Sequence, residues 1–272
     1  MKKTLIILPF LLLIIGFLLF PKQKEEGTEL EKVVITQYGQ SDVFLYLPLY
    51  IAQEEDLFRK NGLDVQITYS GNDDQIAATV VGGYADFGVG DPIFSAIIQE
   101  RGGDIKTVAI LVDKAPFVGY TNNPSVKDIL DIHQLDGLKI SSFPAPSTLY
   151  TNLTNIKNSN KSSVKIKPVS FGAQLAALEH KEVDIAMDLD PAVAIAEGNG
   201  YRTVISLAKF LPKQAITGIT TKSETIKQKP ETVQKVIDSL QQAVTMFYSD
   251  KNIGIRVARK VFPDVDENSI IK

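Results

Sequence analysis

The residues able to do chemistry in this chain gather where strand-like segments end. Gln37, Tyr38, Gly39, Gln40, Ser41 and Asp42 follow a β-branched run at 33–36, and Gly90 and Asp91 follow a second strand-like segment at 85–89. Ser141, Ser142, Pro146, Ser147 and Thr148 close a third, and Asp188 and Asp190 close a fourth. These positions carry amides, hydroxyls and aspartates but no lysine or arginine; Lys114 and Lys213 are the nearest basic residues in sequence. A site for a small bare anion calls for cationic donors. Carboxylates favour a ligand with N–H donors. Ser147 is placed to cap a helix, and the helix start it opens is anion-friendly; a plain cap facing solvent is the competing reading. Tyr38 is either a stacking platform or packing. Asp91 and Asp190 each precede a proline, so each is equally a helix cap.

What is missing narrows the chemistry further. The chain has no cysteine, which excludes disulfide scaffolds, zinc ribbons, iron–sulfur sites and thiol nucleophiles. The two histidines, His133 and His180, form no metal-binding pair and lie in no strand-end loop. There is no GxSxG elbow and no Walker A motif; Gly88 and Gly90 lack a third glycine, and Pro92 intrudes. The site therefore reads as binding without catalysis, with no cofactor and no metal. The 29 basic and 32 acidic residues give a net charge of −3, so no nucleic-acid partner is expected.

The elements that must hold these residues alternate between strand and helix. Pro48 opens a helix predicted to run to Asn61-Gly62, 64–69 alternates as a strand, and Asp73 is the expected cap of a helix carrying Ile76, Ala77, Val80 and Val81. Pro92 opens the next helix. Such alternation argues for mainly parallel sheets flanked by helices. Sliding the chain on itself exposes a repeat. Gln75-Ile76-Ala77-Ala78, Ala85-Asp86-Phe87-Gly88 and Asp91-Pro92 are echoed about 99 residues on by Gln174-Leu175-Ala176-Ala177, Val183-Asp184-Ile185-Ala186 and Asp190-Pro191. Two α/β lobes of similar build follow, with ligand expected beyond the strand ends. The runs 117–121 and 215–221 contain Gly119 and Gly218 and are either hinge segments or core strands. The expected division is lobe 1 at 32–119 plus 219–272 and lobe 2 at 120–218. An apolar stripe through Val233, Val236, Ile237, Leu240, Val244 and Phe247 marks a core-facing helix.

At the amino terminus, Lys2 and Lys3 precede an uncharged apolar stretch at 4–20. It reads as a signal or membrane anchor at 1–21 that leaves the rest of the chain outside the cytoplasm. A polar linker at 22–31 follows.

Several stretches together resemble a known family. Leu47-Pro48-Leu49-Tyr50-Ile51-Ala52, followed by Leu57-Phe58-Arg59-Lys60-Asn61-Gly62-Leu63-Asp64-Val65, is similar to the opening of type 2 solute-binding proteins. Gly82-Gly83-Tyr84-Ala85-Asp86-Phe87-Gly88 resembles their G-x-x-D-x-G strand, and Leu135-Asp136-Gly137-Leu138-Lys139-Ile140 resembles the start of their second lobe. The order and spacing resemble the SsuA/THI5-like (NMT1-like) branch, which includes nitrate-, sulfonate-, taurine- and thiamine-pyrimidine-binding proteins. That resemblance implies a two-lobed type 2 periplasmic-binding-protein fold with a cleft between lobes. It also implies a monomeric, extracytoplasmic receptor that delivers a small amine-bearing, heterocyclic or sulfonate-type solute to the permease and ATPase subunits of an ABC importer; the strand-end aspartates, with no lysine or arginine beside them, suit an aminopyrimidine or the ammonium of taurine better than nitrate or a bare sulfonate. Members usually continue past residue 272, so truncation is expected. A ligand-binding sensor ectodomain on the same clamshell is the alternative, followed by an enzyme on the same fold related to thiamine-pyrimidine synthesis. Eukaryotic pyrimidine synthases share the fold but use a cysteine-rich motif that this chain lacks. The ligand-binding residues expected are Gln37, Tyr38, Gln40, Ser41, Asp42, Asp91, Ser142, Ser147, Thr148, Asp188 and Asp190.

Overall fold

Strands alternate with helices in a computed structural model that describes residues 29–39 and 42–271. The expected anchor at 4–20 and most of the linker lie outside the described residues. Among the described residues, no helix is long and apolar enough to cross a membrane.

The first lobe contains β1 (Glu31–Gln37), α1 (Leu47–Glu54), α2 (Leu57–Lys60), β2 (Leu63–Tyr69), α3 (Asp73–Val81), β3 (Phe87–Gly90), α4 (Pro92–Glu100) and β4 (Lys106–Val112). The single helix expected from Pro48 to Gly62 is split. Asp56 takes a left-handed conformation (φ 56°), which aspartate tolerates better than most residues and which no helix can run through. The chain then crosses over. β5 (Val118–Thr121), β6 (Lys139–Ser142), α5 (Thr148–Ser159), β7 (Lys165–Pro168), α6 (Gln174–Glu179), β8 (Ala186–Asp188), α7 (Ala192–Gly198) and β9 (Arg202–Ser206) build the second lobe. It returns through β10 (Thr217–Thr221), followed by α8 (Ser223–Gln228), α9 (Pro230–Ser249), α10 (Lys251–Val261) and α11 (Glu267–Ile271).

The two sheets have one design. In lobe 1 the strand order is β2-β1-β3-β10-β4. In lobe 2, β6-β7 and β8-β5-β9 are joined by a parallel bridge between Ile140 and Ile185, giving β7-β6-β8-β5-β9. Each sheet is mainly parallel, with one antiparallel strand that arrives from the other lobe, β10 in the first and β5 in the second. The repeat reaches individual hydrogen bonds. Asp86 accepts the Val34 N–H at 2.9 Å and Asp184 accepts the Lys139 N–H at 2.7 Å, each pinning the neighbouring strand. Thr221 donates to the Asp86 carbonyl at 2.6 Å, and Thr121 donates to the Asp184 carbonyl at 2.7 Å.

Strand pairing also decides what the glycine-bearing runs are. Val118 and Gly119 pair with lobe-2 strands, and Thr217 and Gly218 with lobe-1 strands, so both runs are core strands. A Cβ on Gly119 would sit 2.4 Å from Ile205 Cγ2 and 2.7 Å from Met187 Sδ; the glycine is there for close packing. We therefore propose the crossings at 113–117 and 207–216, a few residues from the limits read at 119/120 and 218/219.

Each sheet buries both faces. In lobe 1, Val33, Ile35, Phe87, Val89 and Ile219 pack against Leu49 and Ile51 of α1 and Val236 and Leu240 of α9. Ala77 and Val80 of α3 pack with Ala85 and Ile105 in a second cluster. In lobe 2, Ile140, Ile185, Met187 and Ile205 meet Leu149 and Leu153 of α5 on one side, while Tyr120 and Ala186 meet Leu178, Val193 and Ala196 in another cluster.

Candidate functional site

Three helix starts converge between the lobes, and each is fixed by local sequence. α3 opens on a capping box: Asn72 accepts the Gln75 N–H and Gln75 reaches back to the Asn72 N–H. Asn72 is therefore the cap, where Asp73 was expected, and Asp73 becomes the first helical residue with its carboxylate free to turn inward. α4 opens on Asp91, which accepts the Ile93 N–H at 3.1 Å, with Pro92 at the first helical position. α5 opens on Ser147, which accepts the Tyr150 N–H at 3.3 Å.

These starts are wired together across the interlobe gap. The Asp91 N–H donates to Asp73 Oδ1 at 2.8 Å. The Asp91 carboxylate accepts the Thr148 N–H and the Thr148 hydroxyl, both at 2.7 Å. A carboxylate holding two donors of the other lobe is a clasp, each bond contributing about 1.5–3 kcal/mol because the acceptor is charged. Gly90 makes the arrangement possible: a Cβ there would lie 2.5 Å from Asp73 Oδ1.

Beside the clasp is a cavity of about 200 Å³. Its polar wall is Asn72, Asp73, Asp74, Asp91, Ser147, Thr148 and Thr217. Its rings are Tyr38, Tyr46, Phe94, Phe117, Phe143 and Phe171. Tyr38 of lobe 1 meets Phe171 of lobe 2 edge-on at 5.2 Å, Phe171 meets Phe143 at 5.1 Å, and Phe143 meets Phe117 at 6.1 Å. Among the described residues, no lysine or arginine lines it; Lys213 is held by Asp113 at 2.6 Å. Burial without a cationic partner pushes Asp73 up to about 7, with the neighbouring Asp91 and Asp74 charges adding to it and the Asp91 N–H opposing. Burial raises Asp91 too, against the donors of Thr148 and Ile93.

Of the residues singled out in the sequence, Tyr38, Asp91, Ser147 and Thr148 line this cavity. Gln37 does not: it is fully buried, accepting the Tyr50 hydroxyl at 2.7 Å and donating to Asp42 at 3.0 Å. Asp42 is spent on Gln37 and Tyr69. The Ser142 hydroxyl donates to the Phe143 carbonyl. Asp188 is buried, held by the Leu189 N–H at 2.9 Å and the Tyr120 hydroxyl at 3.4 Å, and burial lifts it to about 6. Asp190 is exposed and caps nothing, since α7 begins only at Ala192 with Pro191 at its N-cap. Gln40 and Ser41 lie outside the described residues. Asp73, Asn72, Phe143 and Phe171 were not anticipated; the one signal pointing to Asp73 was its place at a predicted helix start.

The model of the family described as "NMT1/THI5 like" matches residues 44–251. Among solved structures, the periplasmic aliphatic sulphonate binding protein SsuA from Escherichia coli superposes with a TM-score of 0.72 at 15% identity, covering 89% of this chain and 81% of that one. The alkanesulfonate-binding protein SsuA from Xanthomonas axonopodis pv. citri bound to MOPS gives 0.71 at 18%, covering 89% and 83%. The periplasmic nitrate-binding protein NrtA from Synechocystis PCC 6803 gives 0.70 at 13%, covering 89% and 69%. In sequence, the chain is 29% identical over 97 residues to the 4-amino-5-hydroxymethyl-2-methylpyrimidine phosphate synthase THI11 of Saccharomyces cerevisiae. That match spans 35% of this chain and only 28% of the yeast protein. These likenesses agree with the two-lobed α/β fold described above.

Proposed function

Because the chain belongs to the NMT1/THI5-like family, we propose that it is an extracytoplasmic receptor for a small, planar, amine-bearing solute. Lobe closure captures the solute, which is then delivered to the permease and ATPase of an ABC importer. The observation that carries this reading is the make-up of the interlobe cavity: carboxylates and aromatic rings, with no lysine or arginine among the described residues that line it. Rings on both lobes offer faces and edges to a flat ligand, and the carboxylates accept its N–H groups. A cavity of about 150 Å³ is enough for benzene, so this one suits a single substituted ring.

Bare sulfonates and nitrate, the ligands named for the structural neighbours, lack a cationic partner here. The yeast relatives are named for an aminopyrimidine phosphate; the same electrostatics favour the unphosphorylated base. The Thr148 hydroxyl on the Asp91 carboxylate is joined by the Thr148 N–H on the same group, so this pair serves to hold the lobes together, which supports binding over synthesis.

The test is a thermal shift of the full chain against 4-amino-5-hydroxymethyl-2-methylpyrimidine, taurine, an alkyl sulfonate and nitrate. The aminopyrimidine is expected to raise Tm by several degrees. A shift with nitrate or the sulfonate alone would overturn the proposed solute class.

A further inference from the structure

We infer that the cavity takes its ligand as an organic cation and that Asp73 is the residue that reads the charge. This inference rests on the receptor reading above and adds the ligand's protonation state to it.

The geometry separates the three carboxylates of the wall. Asp91 is committed on both oxygens, Oδ1 to Thr148 Oγ1 and Ile93 N, and Oδ2 to Thr148 N. Asp74 is exposed, where solvent screens it. Asp73 accepts one N–H, from Asp91, through Oδ1. It is the wall carboxylate that is both partly sheltered and not fully occupied by the lobe clasp. Its titratable neighbours are Asp91 from the β3–α4 corner, Asp74 from its own helix, and Tyr38 and Tyr46 from the segment after β1. All are acidic or neutral groups, and among the described residues lobe 2 contributes hydroxyls, rings and aliphatic side chains to the wall but no charged one. Negative potential is therefore uncompensated where the rings converge, and a cation over an aromatic face gains a further attraction.

The consequence for pH has a definite sign. Burial and its acidic neighbours disfavour the charge on Asp73 and push it up to about 7. A cation favours the ionised form, so binding it displaces a proton from Asp73 to solvent. Affinity for a permanently charged ligand then rises from pH 6 to pH 8 and levels off above. One displaced proton gives about a tenfold change over that interval.

The experiment titrates the full chain calorimetrically with two probes of the same outline, 1-methylnicotinamide, a permanent cation, and uncharged 3-methylbenzamide. At pH 8 the cation is expected to bind at least tenfold more tightly. Its affinity is expected to fall about tenfold at pH 6, while that of the benzamide stays level. In Asp73→Asn, which keeps the Oδ1 acceptor for the Asp91 N–H, the cation should lose its advantage and its pH dependence. Should that variant fail to fold, the wild-type probe pair decides alone. Equal affinities at pH 8 overturn the charge selection and leave the receptor reading standing. A pH dependence that persists in Asp73→Asn removes Asp73 from the role. Binding of neither probe overturns the flat-ligand reading and this inference with it.

Discussion

Two Asp-Pro corners, one per lobe, share a sequence and do opposite things. Asp91 caps α4, sits against Asp73 and clasps Thr148 of the other lobe. Asp190 is exposed and caps no helix. The difference is one residue of spacing. Strand pairing places Gly88 opposite Thr220 and Ala186 opposite Tyr120, so Gly90 corresponds to Asp188 and Asp91 to Leu189. The second copy carries one extra residue between strand and proline, which pushes its aspartate past the corner. Leu189 takes the position instead, and it too lines the cavity. The duplicated fold thus builds an asymmetric cavity. Lobe 1 contributes the carboxylates, and lobe 2 contributes Phe143, Phe171 and the start of α5.

That contrast can be broken in order of expected effect. Asp91→Ala removes a helix cap and both bonds of the clasp; ligand affinity should fall by about 2–4 kcal/mol, and stability by about 1 kcal/mol from the cap with a further loss from the two clasp bonds. Asp190→Ala should change both by less than about 0.5 kcal/mol, measured by calorimetric titration and thermal unfolding. Asp188→Asn probes the buried position that replaces Gly90. The folded state raises this carboxyl to about 6, so Asp188 contributes stability at low pH that is lost as pH rises from about 4 to about 6. The span is on the order of 2–3 kcal/mol. Denaturant unfolding at pH 4 and pH 7 should show that slope in the wild type and a flatter one in the variant. Ser147→Ala combined with Thr148→Ala leaves the lobe-1 half of the clasp intact but removes its hydroxyl partner and a cap; affinity should drop by more than about 1 kcal/mol with both lobes folded. Phe171→Ala breaks the ring contact with Tyr38 and should weaken binding of a flat ligand by about 0.5–1.5 kcal/mol.

Much of the scaffold was legible because its signals are local. Pro48, Pro92, Asn61-Gly62 and the α9 stripe mark helix starts, stops and faces through one-turn physics, and the Asp86/Asp184 repeat reports a duplication confirmed down to four hydrogen bonds. Tyr38, Asp91, Ser147 and Thr148 were reachable because a strand end followed by a helix start is readable in sequence. The rest of the wall was not. Phe143 and Phe171 are ordinary aromatics in strand-end loops until β6 and β7 bring them beside Tyr38. Asp73 looked like a cap because Asn72 and Asp73 compete for that position, and the capping box with Gln75 settles it. Asp190 misled because matching the two Asp-Pro pairs hides a one-residue insertion that only strand register exposes.

The central claim is that the cavity joined by the Asp91–Thr148 clasp is the ligand site. Titrating 4-amino-5-hydroxymethyl-2-methylpyrimidine into the wild type, Asp91→Ala and Asp190→Ala tests it most directly. Micromolar or tighter binding is expected for the wild type and for Asp190→Ala. Asp91→Ala should bind at least tenfold more weakly. Equal affinity in all three, or a loss confined to Asp190→Ala, would contradict it.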